Sequence, residues 1–237
     1  TGGPGTYSFD GTGTTTGTDP TGLASSLSYE GGYTQVLKVS ETTNLGSGST
    51  TEEQDQRGYY RTSGAITRGA YQYAGKVAKI GAGTSWTGGS DTYTTIAGAV
   101  TAASDDNTIV LADTAILEDS ISIDKTLTIQ GGGQDTTTVR VAVPGEDGTN
   151  KRIFSITAAG KTITLNDMTI RGGDVYNGDG AGTAYVPNKD GGAIQLYDGT
   201  LNLNRITIQN SKAYAGGAIA VRNLGTKVNL NCVQCII

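Results

Sequence analysis

Two short segments of this chain recur at a near-constant interval, and a chain that repeats itself this closely must fold as a stack of similar units. Gly191-Gly192-Ala193-Ile194 returns as Gly216-Gly217-Ala218-Ile219, twenty-five positions later. Leu201-Asn202-Leu203-Asn204-Arg205-Ile206-Thr207-Ile208 aligns with Val228-Asn229-Leu230-Asn231-Cys232-Val233-Gln234-Cys235, twenty-seven later. The same pattern stands at Ile163-Thr164-Leu165-Asn166-Asp167-Met168-Thr169-Ile170, thirty-eight earlier, the interval being lengthened by the insertion NGDGAGTAYVPNKD. A weaker copy runs from Ile121 to Ile129. A period near 25 residues holding several short strands predicts one coil of a β-solenoid per repeat. Coils stack about 4.8 Å apart, the spacing of paired strands. Leu165, Leu203 and Leu230 should then stack inside, as should Ile194 on Ile219. Asn166, Asn204 and Asn231 should share one column, either as an internal amide ladder or as surface turn residues.

Composition agrees with strands and turns. Glycine supplies 37 of 237 residues and charged residues only 16%, while Thr and Ser abound and helix formers are scarce. A helical bundle is excluded. With no histidine and a formal charge of −5, the chain lacks the clustered cations that phosphate binding needs, so nucleic acid is not an expected partner. No apolar run reaches the length of a membrane span. Thr1 begins without a basic segment and apolar run, so no leader is expected, and a processed or excised chain would read the same. Low charge and an inert Thr/Gly-rich composition point to an extracellular or cell-surface location.

The chain divides softly between Gly75 and Trp86. Residues 1–75 read as a β-rich segment in which charge and tyrosine concentrate toward the end. Residues 76–237 carry the repeats. One helix is expected at about 93–103, where Tyr93, Ile96, Ala99 and Val100 are helically spaced, with Thr92 or Asp91 as its cap. Placed before the first strands, it suits an N-terminal lid over an otherwise open sheet edge. The fold expected is all-β: a right-handed parallel β-helix with a short capping helix, and an N-terminal β extension that completes a solenoid end. Right-handedness is the general rule for parallel crossovers.

The residues also carry a resemblance. The segment from Ile96 through Val139, including Ile123-Asp124-Lys125-Thr126-Leu127-Thr128-Ile129-Gln130-Gly131, resembles the opening of pectate-lyase-like right-handed β-helices, where a capping helix precedes such a strand. The GGAI repeats resemble those of polymorphic outer-membrane proteins and related giant bacterial surface proteins. Residues 29–73, with Asp55-Gln56-Arg57-Gly58 and Gly69-Ala70-Tyr71-Gln72-Tyr73, resemble the element that closes such β-helices. Arg68 and Gln72 stand where that element usually has acids. The closing element comes first here and the opening element second, as in a circular permutation.

The absence of histidine removes His-based acid–base catalysis and most zinc sites. Lyases of the resembled fold use acidic calcium ligands and a basic residue on one face. Arg140, Arg152, Arg171, Arg205 and Arg222 show no repeated pairing with acids, and Arg171 beside Asp174, which could mimic such a pair, reads first as a solvated turn. No catalytic or cofactor-binding residue is therefore expected. Asp174, Asn177 and Asp179, interleaved with glycine, form the one loop suited to calcium, although the same residues are ordinary turn formers. Cys232 and Cys235 lie three apart on an expected strand and would point to opposite faces, which disfavours a disulfide between them unless a turn intervenes. Trp86, Tyr59, Tyr60, Tyr71 and Tyr73 could stack on sugars or pack the closing element.

Three functions compete: a structural filament subunit or module of a giant adhesin, a polysaccharide lyase or hydrolase, and a carbohydrate-binding surface module. The structural reading, with no enzymatic activity, fits the residues best. The expected partner is the protein itself, in a head-to-tail homopolymer, with host or matrix glycans as further partners. Its interface would place Thr6, Tyr7, Phe9, Val36, Leu37 and Val39 of one subunit against Val233, Ile236 and Ile237 of the next.

Overall fold

The structure is a computed structural model, and it describes residues 7–8, 14–15, 27, 36, 54–60, 75–81, 91–141, 151–176, 189–222 and 227–237. The chain separates into two compact units, Thr1–Lys76 and Val77–Ile237. Thirteen strands and one helix are found among the described residues, so the fold is predominantly β.

In the first unit, β1 (Tyr7–Ser8) and β2 (Thr14–Thr15) pair antiparallel. The Asp55-Gln56-Arg57-Gly58 segment closes on itself. The Asp55 carboxylate accepts the Arg57 and Tyr59 amides at 2.8 and 3.1 Å and the Arg57 Nε at 2.8 Å. Gly58 supplies the left-handed turn residue. The Asp55–Arg57 pair is buried, and burial without loss is possible because every carboxylate lone pair has a directed donor.

The second unit opens with β3 (Ala78–Ile80) and β4 (Thr92–Tyr93), which pair antiparallel, followed by α1 (Ile96–Ala102). Seven strands complete the ladders before the last pair: β5 (Asn107–Leu111), β6 (Ala115–Leu117), β7 (Ile121–Ile123), β8 (Leu127–Gln130), β9 (Thr138–Arg140), β10 (Phe154–Arg171) and β11 (Ile194–Gln209). The last are β12 (Ile219–Val221) and β13 (Val228–Val233). Strands β3–β13 form one mixed sheet, antiparallel at β3–β4 and β3–β5 and parallel elsewhere.

The parallel pairs fall into three ladders. One runs β5–β8–β10–β11–β13, aligning Ile109, Ile129, Leu165, Leu203 and Cys232. A second runs β6–β9–β10–β11, aligning Ile116, Val139, Ile170 and Ile208. A third runs β7–β10–β11–β12, aligning Ile121, Phe154, Ile194 and Ile219. β10 and β11 serve all three because left-handed residues divide them: Gly160 and Asp167 in β10, Gly199 and Arg205 in β11. Alternation places the aligned Ile, Leu and Phe side chains on one face, and most are fully buried.

Ile194 stacks on Ile219 at the expected interval, but the next segment is shifted. Leu201, not Leu203, pairs with Leu230, and Asn202, not Asn204, pairs with Asn231. The interval is twenty-nine rather than twenty-seven. Leu-Asn-Leu-Asn has a period of two, so a slip by two residues keeps every leucine and asparagine on its own face. The asparagines form two amide ladders on the outer face rather than one internal column. Asn204 Nδ2 donates to Asn166 Oδ1 at 2.9 Å and Asn166 Nδ2 to Gln130 Oε1 at 3.1 Å. Asn231 Nδ2 donates to Asn202 Oδ1 at 2.8 Å.

The helix begins later than its spacing suggested. Asp91 adopts a left-handed backbone, φ 58°, and Thr92–Tyr93 is extended and paired with Lys79 and Ala78. The cap is therefore Thr95, whose Oγ1 accepts the Gly98 amide at 3.0 Å. Both ends of α1 are held by the strands that follow. Glu118 accepts the Ile96 and Ala97 amides at 2.6 and 2.8 Å, and its burial pushes the carboxyl up from the ordinary range. Lys125 Nζ donates to the carbonyls of Val100, Thr101 and Ala103 at 3.0, 2.9 and 2.8 Å. An ammonium on three terminal carbonyls complements the helix dipole. Lys125→Met is expected to cost about 1.5 kcal/mol in chemical denaturation and to speed amide exchange at Ala103. An unchanged Ala103 amide would show that the lysine does not hold the helix end.

Candidate assembly edge

The two ends of the first ladder differ. At the β5 end, β3 pairs antiparallel along the strand and β4 pairs with β3, while α1 packs against β5 and β7. At the other end, β13 pairs with β11 alone among the described residues, and β12 likewise. Beyond β13, Ile236 forms a single parallel bridge to Thr207. Its amide donates to Ile206 O at 2.9 Å, and its carbonyl accepts the Ile208 amide at 2.8 Å.

Among the described residues β12 and β13 have a strand neighbour on one side. Val221, Leu230, Val233, Ile236 and Ile237 are between 38% and 66% exposed, whereas Leu201, Leu203 and Ile206 in the tier beneath are fully buried. A strand edge that leaves apolar side chains exposed is of the kind that proteins ordinarily cover or blunt. Val233, Ile236 and Ile237 were expected here. Val221 and Leu230 stand beside them, although the repeat alone places Leu230 in the interior. Of the residues expected on the opposing surface, Val36 is buried and Tyr7 pairs with Thr15 in the β1–β2 hairpin. Thr6, Phe9, Leu37 and Val39 lie outside the described residues.

The edge also holds a disulfide that the extended-strand argument disfavoured. Cys232 and Cys235 are bonded, with Cα atoms 6.0 Å apart. The intervening turn is Gln234, left-handed at φ 54°. It falls in line with Arg205 and Asp167, which are left-handed at 52° and 56°. A left-handed residue at a corner returns the side chains on both sides of it to the same face. Leu165 with Met168 and Leu203 with Ile206 flank the two earlier corners, all four fully buried. Cys232 and Cys235 occupy the corresponding positions in the last tier.

Two of these arginines, Arg205 and Arg222, pair with acids, across the ladder rather than along the chain. Arg205 Nη2 donates to Asp167 Oδ2 at 2.6 Å, and that hydrogen bond holds the Asp167 carboxyl below its ordinary range. Arg222 Nε donates to Asp190 Oδ2 at 2.8 Å. Arg152 donates to the backbone carbonyls of Gly191 and Asp190, both at 2.9 Å. Near-neighbour spacing concealed these pairs because their partners lie 38 and 32 positions apart.

Asp174 is buried, and its Oδ1 accepts the Tyr176 amide at 2.8 Å. Arg171 is aligned in the ladder with Arg140 and Gln209. Asn177 and Asp179 lie outside the described residues. Among the described residues no group of three His, Cys, Asp or Glu side chains is placed to hold a metal. Tyr59 is buried beneath the Arg57 guanidinium, 4.1 Å from its ring centre, so it is not a sugar-stacking surface. Trp86, Tyr71 and Tyr73 lie outside the described residues. No helix among the described residues is long and apolar enough to cross a membrane. No known family, curated protein or solved structure matches the chain.

Proposed function

We propose that the chain is a structural protein of the cell exterior: a right-handed parallel β-helix that serves as the subunit of a head-to-tail filament or as a module of a giant surface adhesin. The β-helix reading is supported by three parallel ladders visited in a fixed order, with left-handed corners between them. The disulfide favours an oxidising compartment. A non-enzymatic role is supported by the Arg205–Asp167 and Arg222–Asp190 pairs, whose charges neutralise one another across the ladder.

One observation carries the assembly reading, namely the asymmetry of the ladder ends. The β5 end is occupied by β3, β4 and α1, while at the β12–β13 end the described residues leave apolar side chains exposed and pair with β11 alone. Residues 1–75 of the next subunit are the proposed cover, a head-to-tail contact that propagates rather than closes. A further coil of the same polypeptide would cover the same edge in cis.

The test is electron microscopy with sedimentation of concentrated protein, intact and lacking residues 1–28. Fibres are expected from the intact chain and not from the truncated one. An intact chain that stays monomeric sinks the filament reading, and equally long fibres from the truncated chain sink completion by the N-terminal segment.

A further inference from the structure

The assembly reading makes no use of the Cys232–Cys235 bond, yet the bond sits where it controls the geometry of the open edge. In the two tiers beneath, the corner is closed by apolar pairs, Leu165 with Met168 and Leu203 with Ile206, each covered from above and below. Among the described residues the Cys232–Cys235 corner has a neighbour on one side: Cys232 pairs with Leu203. Cys232 is exposed and Cys235 half-buried, so two thiols there would recover little of the burial that closes the other corners. Cys235 Sγ lies 3.5 Å from the Leu203 carbonyl. One residue further on, Ile236 makes the two backbone hydrogen bonds that extend the ladder past the turn.

We propose that Cys232–Cys235 is a reversible redox latch: a thiol–disulfide exchange site that holds the edge in register when oxidised and frees it when reduced. The partner is a dithiol reductant. One of its thiolates attacks the exposed Cys232 sulfur, forming a mixed disulfide and expelling the Cys235 thiolate, which takes up a proton. The second thiol of the reductant, as its thiolate, then attacks its own sulfur in the mixed disulfide and expels Cys232. Two electrons pass to the protein, the reductant leaves as a cyclic disulfide, and two cysteine thiols remain. Exposure favours this chemistry, because an accessible disulfide is the labile kind. Once the bond is cut, Gln234 keeps its left-handed turn without a covalent brace, and Ile236 detaches from Ile206 and Ile208. The latch acts within one chain whose edge is not yet covered by a neighbour, and its test does not need filament formation.

Amide exchange on the intact protein, before and after dithiothreitol and with thiols counted, tests this directly. Reduction should speed exchange at Ile236 and Ile208 by about tenfold or more, as local opening does, and leave the Thr169 amide of an inner corner unchanged. A second variant, Cys232→Leu with Cys235→Ile, restores the apolar pair of the inner corners and should exchange at one rate with or without reductant. Unchanged rates at Ile236 after full reduction overturn the latch. So does an equal rise at Thr169, which would mean general unfolding, or a reductant effect that survives in the Leu/Ile variant.

Discussion

Gly192→Ala is expected to destabilise the Val77–Ile237 unit by about 4 kcal/mol, at the upper end of what single substitutions do. The added Cβ would lie 2.5 Å from Gly173 O, 2.6 Å from Gly217 O and 2.6 Å from Lys212 O. All three are backbone atoms, so no side-chain rotation relieves the contact. Nor can the backbone slide. The Gly192 amide donates to Gly217 O at 2.9 Å and the Ala193 amide to Ala218 O at 3.0 Å. Arg152 fixes the preceding carbonyls from outside the ladder. The neighbouring Gly191 is required on two counts, its left-handed φ of 67° and a Cβ position only 2.1 Å from Ile194 O. Gly217→Ala is the control, because the same motif one tier later has its nearest atom, Ser211 O, at 3.5 Å. Urea denaturation should leave the Gly217 variant within about 1 kcal/mol of the parent. Equal losses from the two variants would show that the tiers are not packed glycine on glycine.

That contrast explains why part of the molecule was legible and part was not. The Gly-Gly-Ala-Ile repeat locates stacked backbone because only glycine tolerates a carbonyl at that distance. Lys125 in the I-x-K-x-L-T-I segment was noticed as a resemblance, and its physical purpose is the end of α1, twenty-two to twenty-five positions upstream. What failed were arguments that assumed a uniform strand. The Cys232–Cys235 bond was disfavoured because residues three apart on a strand face opposite ways. One left-handed residue, Gln234, reverses that rule, as Asp167 and Arg205 do in the tiers below. Neither aspartate, arginine nor glutamine announces such a conformation, whereas a glycine would have. The register of β13 failed for the opposite reason, too much regularity. Leu-Asn-Leu-Asn fits its neighbour equally well two residues along, and side-chain pattern cannot choose between the two. Leu201 lies seven positions after Ile194 and Leu230 eleven after Ile219, so the connection between the two ladders takes up four extra residues in the observed register.

The corrected register gives a sharper test of the core than the sequence alone allowed. Leu203→Asp should cost about 5 kcal/mol at neutral pH, since it places a carboxylate without a partner between Leu165 and Cys232 at a fully buried position. The new carboxyl would titrate well above the value near 3.9 that it has in the unfolded chain. Below that value both states are protonated, and the deficit is only that of a buried neutral acid with lost packing. As pH rises, the unfolded chain releases its proton while the folded chain retains it, so the deficit grows until the folded group ionises. Measured against the parent, the variant should therefore be less impaired at pH 4 than at pH 8. Leu230→Asp makes the comparison decisive. In the twenty-seven-residue alignment Leu230 shares the Leu203 column and the two substitutions would be equivalent. In the observed register Leu230 lies above Leu201 at the edge, 38% exposed, where a carboxylate keeps part of its water. Its cost should be about 2 kcal/mol or less, with little dependence on pH. Equal costs and equal pH profiles would return Leu230 to the interior, and the open edge would lose the residue at its centre.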